Sequence, residues 1–416
     1  MVRGVFVLVL VAAGYAGAVE PAADWPQWGG PSRDFRVPAA PLATTWPEGG
    51  PPRVWSRPLG EGYSALVTDG ATLYTLYREG DDEVVVALDA ATGKTRWQHG
   101  YRAPVPDNPG AQFWNTSAGP GPYSTPLLAG SRLFTVGVAG QLHALDAKTG
   151  KVLWSHRLVE EFDVQPFMAY ASSPLAHGGN VVLPVGGAGR GVVAFDQETG
   201  EVAWQNQDLK LAPSSPVLIQ VDGEEQLVVF AQDRIAGLDP GDGALRWSHP
   251  HETEYGLNIS TPVWGEGNLL FCSSAYDGGS RVIRLRRAEG RTRAEEVWFS
   301  NRMRIHFGNA LRVGDLVLGT SGDFGPAFFI AVDAESGEEA WRERTFARSH
   351  ILLAGSQLVI VDEDGDIAVA TPSREGLQVQ ARASVLKKNA WTPPTLVGTR
   401  LYVRDRADVL SLELGR

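Results

Sequence analysis

The chain has 416 residues, 43% of them hydrophobic, and a formal net charge of −11. That acidity argues against nucleic acid or an anionic membrane as the main partner, since both reward basic patches. The single cysteine, Cys272, excludes an internal disulfide and a Cys-x-x-Cys-His haem attachment. Its setting, Leu269-Leu270-Phe271-Cys272, reads as a buried, inert thiol.

Residues 1–18 read as a signal peptide. Arg3 is the positive region, Val5 to Ala13 the apolar core, and Ala16-Gly17-Ala18 a small-residue cleavage site. The apolar run is too short for a membrane span, and no cysteine follows the cleavage site to take a lipid. The expectation is a soluble exported protein, periplasmic or extracellular and not lipid-anchored. Residues 19–45 then form an extended arm.

From residue 46 onward a block repeats. It appears as Ala87-Leu88-Asp89-Ala90-Ala91-Thr92-Gly93 followed by Trp97. It returns as Ala144-Leu145-Asp146-Ala147-Lys148-Thr149-Gly150 followed by Trp154. Looser copies end at Trp204, Trp247, Trp298 and Trp341, the fifth with a degenerate turn near Arg287–Gly290. A fixed period of this size signals a repeat architecture. Within the second copy, three short apolar runs and Lys151-Val152-Leu153-Trp154 are separated by tight turns, so each unit is an up-and-down sheet of four strands. In the last turn, Asp146 can accept backbone N–H groups and Gly150 can take positive φ. Each Trp is suited to fill the wedge between neighbouring units. Unit seven lacks its Trp, with Gln380 roughly in place. Unit eight ends at Leu412-Glu413-Leu414-Gly415 without an outer strand. Arg53-Val54-Trp55-Ser56 is similar to Lys151-Val152-Leu153-Trp154-Ser155, so an N-terminal strand carrying Trp55 can supply it and close a ring. The expected fold is all-β: an eight-bladed β-propeller of four-stranded antiparallel blades over residues 46–416.

This block resembles that of the pyrroloquinoline quinone repeat, or tryptophan-docking, propellers. Trp25-Pro26-Gln27-Trp28-Gly29-Gly30-Pro31 resembles the opening of many secreted members, which implies an arm lying across the propeller. The family contains quinoprotein dehydrogenases and a non-catalytic, BamB-like branch that scaffolds outer-membrane β-barrel assembly. The chain departs from the well-known alcohol dehydrogenases in being shorter, in lacking an adjacent cysteine pair, and in showing no matches to their calcium ligands and catalytic aspartate.

Candidate binding residues lie just ahead of the inner strands, where they would ring the channel mouth: Tyr63, Tyr123, Tyr170, Asn258, His306, Arg348, His350 and Trp391. Aromatics with a few polar groups suit a small-molecule or peptide site. Acidic Glu160, Glu161 and Asp163, with Glu252 and Glu254, and basic Arg302, Arg304, Lys387 and Lys388 would occupy different arcs of the rim and steer a charged partner. Asp362-Glu363-Asp364-Gly365-Asp366 alternates oxygen ligands as calcium sites do, but lacks the closing Glu and reads as an acidic turn. His249-Pro250-His251-Glu252 offers two imidazoles and a carboxylate without a second cluster, so no metal site is assigned. The Ser172-Ser173-Pro174 and Ser214-Ser215-Pro216 repeats are structural, because a catalytic group needs one copy. No hydrolase motif is present.

These readings favour a monomeric, non-catalytic propeller that binds an envelope or secreted protein or peptide through its loop face, without a cofactor. The alternatives are a compact dehydrogenase of alcohols or sugars using pyrroloquinoline quinone with calcium, and a glycan-binding module built on Trp114, Tyr123 and Trp391.

Overall fold

In the first repeat the strands Val67–Thr68, Thr72–Glu79 and Asp82–Asp89 are buried over most of their length, whereas Thr95–Arg102 alternates between exposed and half-buried residues. Three strands covered on both faces and one covered on a single face are what a sheet needs when stacked radially between two others. The computed structural model describes residues 24–164, 166, 168–323 and 325–415, so the expected signal peptide lies outside the described residues.

Among the described residues the strands form eight sheets. Each is an antiparallel blade, and together they make an eight-bladed propeller. The eighth blade has three strands of its own, Thr395–Val397, Arg400–Arg404 and Asp408–Glu413, and takes its outer strand from Arg53–Pro58. That pairing is antiparallel, with Trp55 opposite Ser411. The ring therefore closes as the similarity between Trp55 and Trp154 implied.

Each Asp-x-x-x-Gly turn is fixed by its own side chains. Asp146 accepts from the Thr149 N–H at 2.8 Å, and Gly150 sits at φ 72°. The Trp at the end of a block docks on the turn of the next blade. Trp97 donates its indole N–H to Ala147 O at 2.9 Å, and a Cβ on Gly150 would lie 2.4 Å from its ring. Trp55, Trp154 and Trp298 repeat this arrangement on Ala90, Gln197 and Ala334. Trp341 donates to Ser373 O. Trp204 reaches Gly243, but its N–H has no partner.

Two positions differ from the expected frame. Trp247 donates to Gln226 Oε1 within its own blade at 2.8 Å. The next blade offers no Asp-x-x-x-Gly turn to receive it, because Gly279–Ala288 and Arg291–Ser300 form a long hairpin with a tight turn at Glu289-Gly290, both at positive φ. In the seventh blade Gln380 is the bulged residue. Ala381, opposite Val369, holds the position that Trp97 holds opposite Ala87.

The Ser/Thr residues that begin the inner strands link neighbouring blades around the channel. Ala65 N–H donates to Thr125 Oγ1, Thr125 N–H to Ser173 Oγ, and Ser173 N–H to Ser215 Oγ, at 3.2, 3.0 and 2.9 Å. Their recurrence is thus a structural requirement of the ring.

The N-terminal segment enters the channel. Trp25, 1% exposed, bridges Thr68. Gly29 and Gly30, at φ 73° and 82°, turn the chain. Arg36–Val37 then adds a parallel fifth strand to the inner edge of the seventh blade. Between them the buried Arg33 donates to the carbonyls of Pro216, Pro174 and Ser173 at 2.7, 2.9 and 2.9 Å. Burial lowers its pKa to about 9.

Candidate functional site at the channel mouth

A short helix, α1 (Pro109–Ser117), forms in the long loop between the first two blades. Asn108 caps it by accepting from Ala111 N–H at 2.8 Å, and Pro109 starts it where a missing N–H costs nothing. Its C-terminal end is tied to the mouth, where orphan carbonyls need donors. The phenols of Tyr63 and Tyr123 donate to Ala118 O and Gly119 O. Burial pushes the Tyr63 phenol up to about 12 and the Tyr123 phenol higher still, so both remain neutral donors.

The helix carries Trp114 over a cavity of about 130 Å³ at the mouth of the channel. Four of the eight anticipated residues line it: Tyr63, Tyr123, His350 and Trp391. Trp28 from the arm, Trp114, Phe307, Met168, Leu257 and Tyr276 also contribute. The rings are organised against one another. Tyr63 and Tyr123 stack at 6.0 Å and 7°, Trp114 and Trp391 at 6.4 Å and 20°, and Phe307 lies 4.7 Å from Trp391. Polar groups are few. Thr261 Oγ1 accepts the Trp28 indole N–H at 3.0 Å, and His350 Nε2 bonds to Trp391 O at 2.9 Å. Burial lowers the His350 pKa to about 4, so the imidazole is neutral at neutral pH. Among the described lining residues none carries a charge.

The other four anticipated residues lie elsewhere, for physical reasons. Tyr170 is fully buried, with its phenol on Val185 O, and fills the wedge between the second and third blades. Asn258 is buried, donating to Ala231 O at 2.6 Å and accepting from Ser274 Oγ. His306 lies behind Phe307, bonded to the Tyr276 phenol, and burial lowers its pKa to about 3. Arg348 is a strut behind the mouth rather than a lining residue. It pairs with Glu363 at 2.6 Å and donates to the carbonyls of Gly322, Asp323 and Gly325.

Most rim charges are compensated locally. Glu160 pairs with Arg157, Glu161 with His156, Arg304 with Asp277 and Asp323, Lys387 with Asp408, and Lys388 with Asp364. Asp163 and Arg302 are exposed. The carboxylates of the Asp362–Asp366 turn are engaged as well. Asp362 accepts the N–H groups of Asp364 and Asp366, Glu363 meets Arg348 and the Trp391 indole, and Asp366 meets Arg382. His249 and His251 both contact Arg281. Among the described residues no group of three or more His, Cys, Asp or Glu is placed to hold a metal ion, and no helix is long and apolar enough to cross a membrane.

A family model described as outer membrane protein assembly factor BamB matches residues 81–343. The chain is 24% identical over 317 residues to outer membrane protein assembly factor BamB of Yersinia pestis, covering 71% of this chain and 76% of that protein. It is 32% identical over 162 residues to the dehydrogenase subunit of the quinone alcohol dehydrogenase of Komagataeibacter europaeus, covering 35% of this chain but only 19% of that protein. Among solved structures, BamB from Moraxella catarrhalis superposes with a TM-score of 0.59 at 17% identity, covering 87% of this chain and 97% of that one, which shows a shared fold. The chain belongs to the BamB family of pyrroloquinoline quinone-repeat β-propellers.

Proposed function

We propose that this chain is an exported, non-catalytic propeller that holds a protein or peptide partner at its channel mouth. The observation that carries the reading is the mouth itself: an uncharged cavity walled by aromatic rings, capped by a helix outside the repeat and surrounded by non-repeating loops. Loops on a rigid scaffold are where binding residues concentrate. The exposed Phe113 on α1 and Tyr255 near the cavity, 66% and 45% accessible, suit an interface better than solvent. Similar chains carrying the name of an envelope assembly factor support the same reading.

The lining does not suit pyrroloquinoline quinone. That cofactor is a fused three-ring tricarboxylate, and no described lining residue is cationic. The nearby Glu363 is already held by Arg348 and Trp391. The cavity is also close in size to the ~150 Å³ that accepts a single benzene ring. A glycan platform is less favoured, because Trp114 and Trp391 face each other and Tyr123 faces Tyr63.

The test is affinity capture from envelope extract with the wild-type chain and with Phe113→Ser and Tyr255→Ser, both at exposed positions. A partner retained by the wild type and lost from both variants supports the reading. A partner retained equally by all three removes the mouth as its site. Dye reduction with alcohols or sugars after addition of pyrroloquinoline quinone and calcium would replace the reading with the dehydrogenase one.

A further inference from the structure

Resting on that partner-binding reading, the geometry points to a specific occupant: we infer that the mouth takes one neutral aromatic side chain of a partner segment, with a basic residue beside it on the fifth-blade side. The cavity of about 130 Å³ holds one six-membered ring and little more. Its walls are ring faces and edges from Tyr63, Trp114, Tyr123, Phe307 and Trp391. Such walls reward a flat, polarised ring over a branched aliphatic group of equal area, because offset and edge-to-face contacts add to burial. A charged group would enter without a counter-ion, which the uncharged lining penalises.

The neighbouring charge comes from the loop that supplies Leu257 and Ile259 to the wall. The same loop carries Glu252 and Glu254, both exposed, on either side of Thr253 and next to Tyr255. Neither carboxylate has a cationic partner among the described residues. By contrast, the basic residues Arg304, Arg348, Lys387 and Lys388 are all paired. Asp163 is exposed without an ion pair as well, and the exposed cations Lys210, Arg302 and Arg344 lie on the loops that enter other blades. A lysine or arginine adjoining the buried ring would meet Glu254 and the face of Tyr255, the two attractions open to a cation at that point.

The experiment uses the full chain and three blocked dipeptides, N-acetyl-Phe-Lys-amide, N-acetyl-Phe-Glu-amide and N-acetyl-Leu-Lys-amide, followed by tryptophan fluorescence and calorimetry. Phe-Lys should bind about tenfold more tightly than Leu-Lys, a ring-on-ring difference. It should exceed Phe-Glu by about threefold to fivefold in low salt, with the gap closing at high salt. Glu254→Gln should erase the Lys-over-Glu preference and keep the Phe-over-Leu preference. Ala169→Phe, which fills the cavity from a lining position, should abolish binding while the far-ultraviolet dichroism stays that of the wild type. Equal binding of Phe and Leu probes, or binding untouched by Ala169→Phe, overturns the inference. If that happens while a partner is still captured at the mouth, only the occupant is wrong. If the probes bind as stated and no partner is captured, the occupant chemistry stands and the partner reading fails.

Discussion

Trp55 of the closing strand packs on Gly93 in the turn of the first blade, where an added Cβ would lie 2.7 Å from the indole, and its N–H reaches Ala90 O at 3.0 Å. This contact joins the N-terminal strand of the eighth blade to the first blade, so it is the last seam of the ring. The same contact recurs with Trp97 on Gly150 and Trp154 on Gly200. Asp-x-x-x-Gly and Trp therefore travel together in the regular repeats because the turn of one blade receives the Trp of the blade before it.

Gly93→Ala should destabilise the protein by about 2–4 kcal/mol, combining a left-handed Ala with an overpacked indole. Trp55→Ala should cost about 3 kcal/mol. The double variant should lose less than the sum, since the overlap vanishes with the indole. Gly130→Ala, also at positive φ but with open space around it, should cost only about 1–2 kcal/mol. Urea unfolding midpoints of the four variants check this.

Arg33 holds the arm in the channel through three backbone carbonyls. Arg33→Ala should loosen the arm and destabilise the protein by about 2–3 kcal/mol. Arg33→Lys should do no better, because an ammonium cannot span that fork of acceptors. Limited trypsinolysis should then cut at the half-exposed Arg36 faster than in the wild type.

Stability should fall on mild acidification. Burial holds His143 and His350 at about 4, and His251 and His306 at about 3, against an ordinary 6.5. Between about pH 4 and 6.5 the unfolded chain therefore binds more protons, and stability rises with pH across that window. Glu83 opposes them. Burial raises its pKa to about 7 despite Arg78 beside it, so its contribution falls as pH rises from about 4.5 to 7. Four histidines outweigh one glutamate. The melting temperature should drop from pH 7 to pH 5, less steeply in His143→Gln and more steeply in Glu83→Gln.

Cys272 is buried in the fifth blade, and burial raises its thiol pKa far above the ordinary value. It should resist a disulfide-exchange reagent in the native protein and react completely in denaturant. Its reaction rate in intermediate urea then reports the opening of that blade.

The ring was legible in the chain because its signals recur: the turn Asp, the positive-φ Gly and the wedge Trp each appear many times, and Trp55 marked the closure. Single-copy features were harder to place. Trp247 turns inward because the fifth blade replaces the receiving turn with a hairpin, and Gln380 missed the Trp position by one residue because the bulge falls there. At the mouth, position ahead of an inner strand identified Tyr63, Tyr123, His350 and Trp391 but could not tell which neighbours face the cavity. His306 turns away while Phe307 faces in. Trp28 belongs to no repeat, so no repeat frame could assign it to the cavity.

The claim that the mouth is the partner site is tested most directly by photocrosslinking in intact cells. A benzoylphenylalanine at position 113, on the exposed face of α1, is compared with one at position 153, also exposed, at 44% against 66%, on the outer edge of the second blade. A discrete crosslinked species is expected from position 113 and none from 153. Crosslinks from position 153 alone would contradict it.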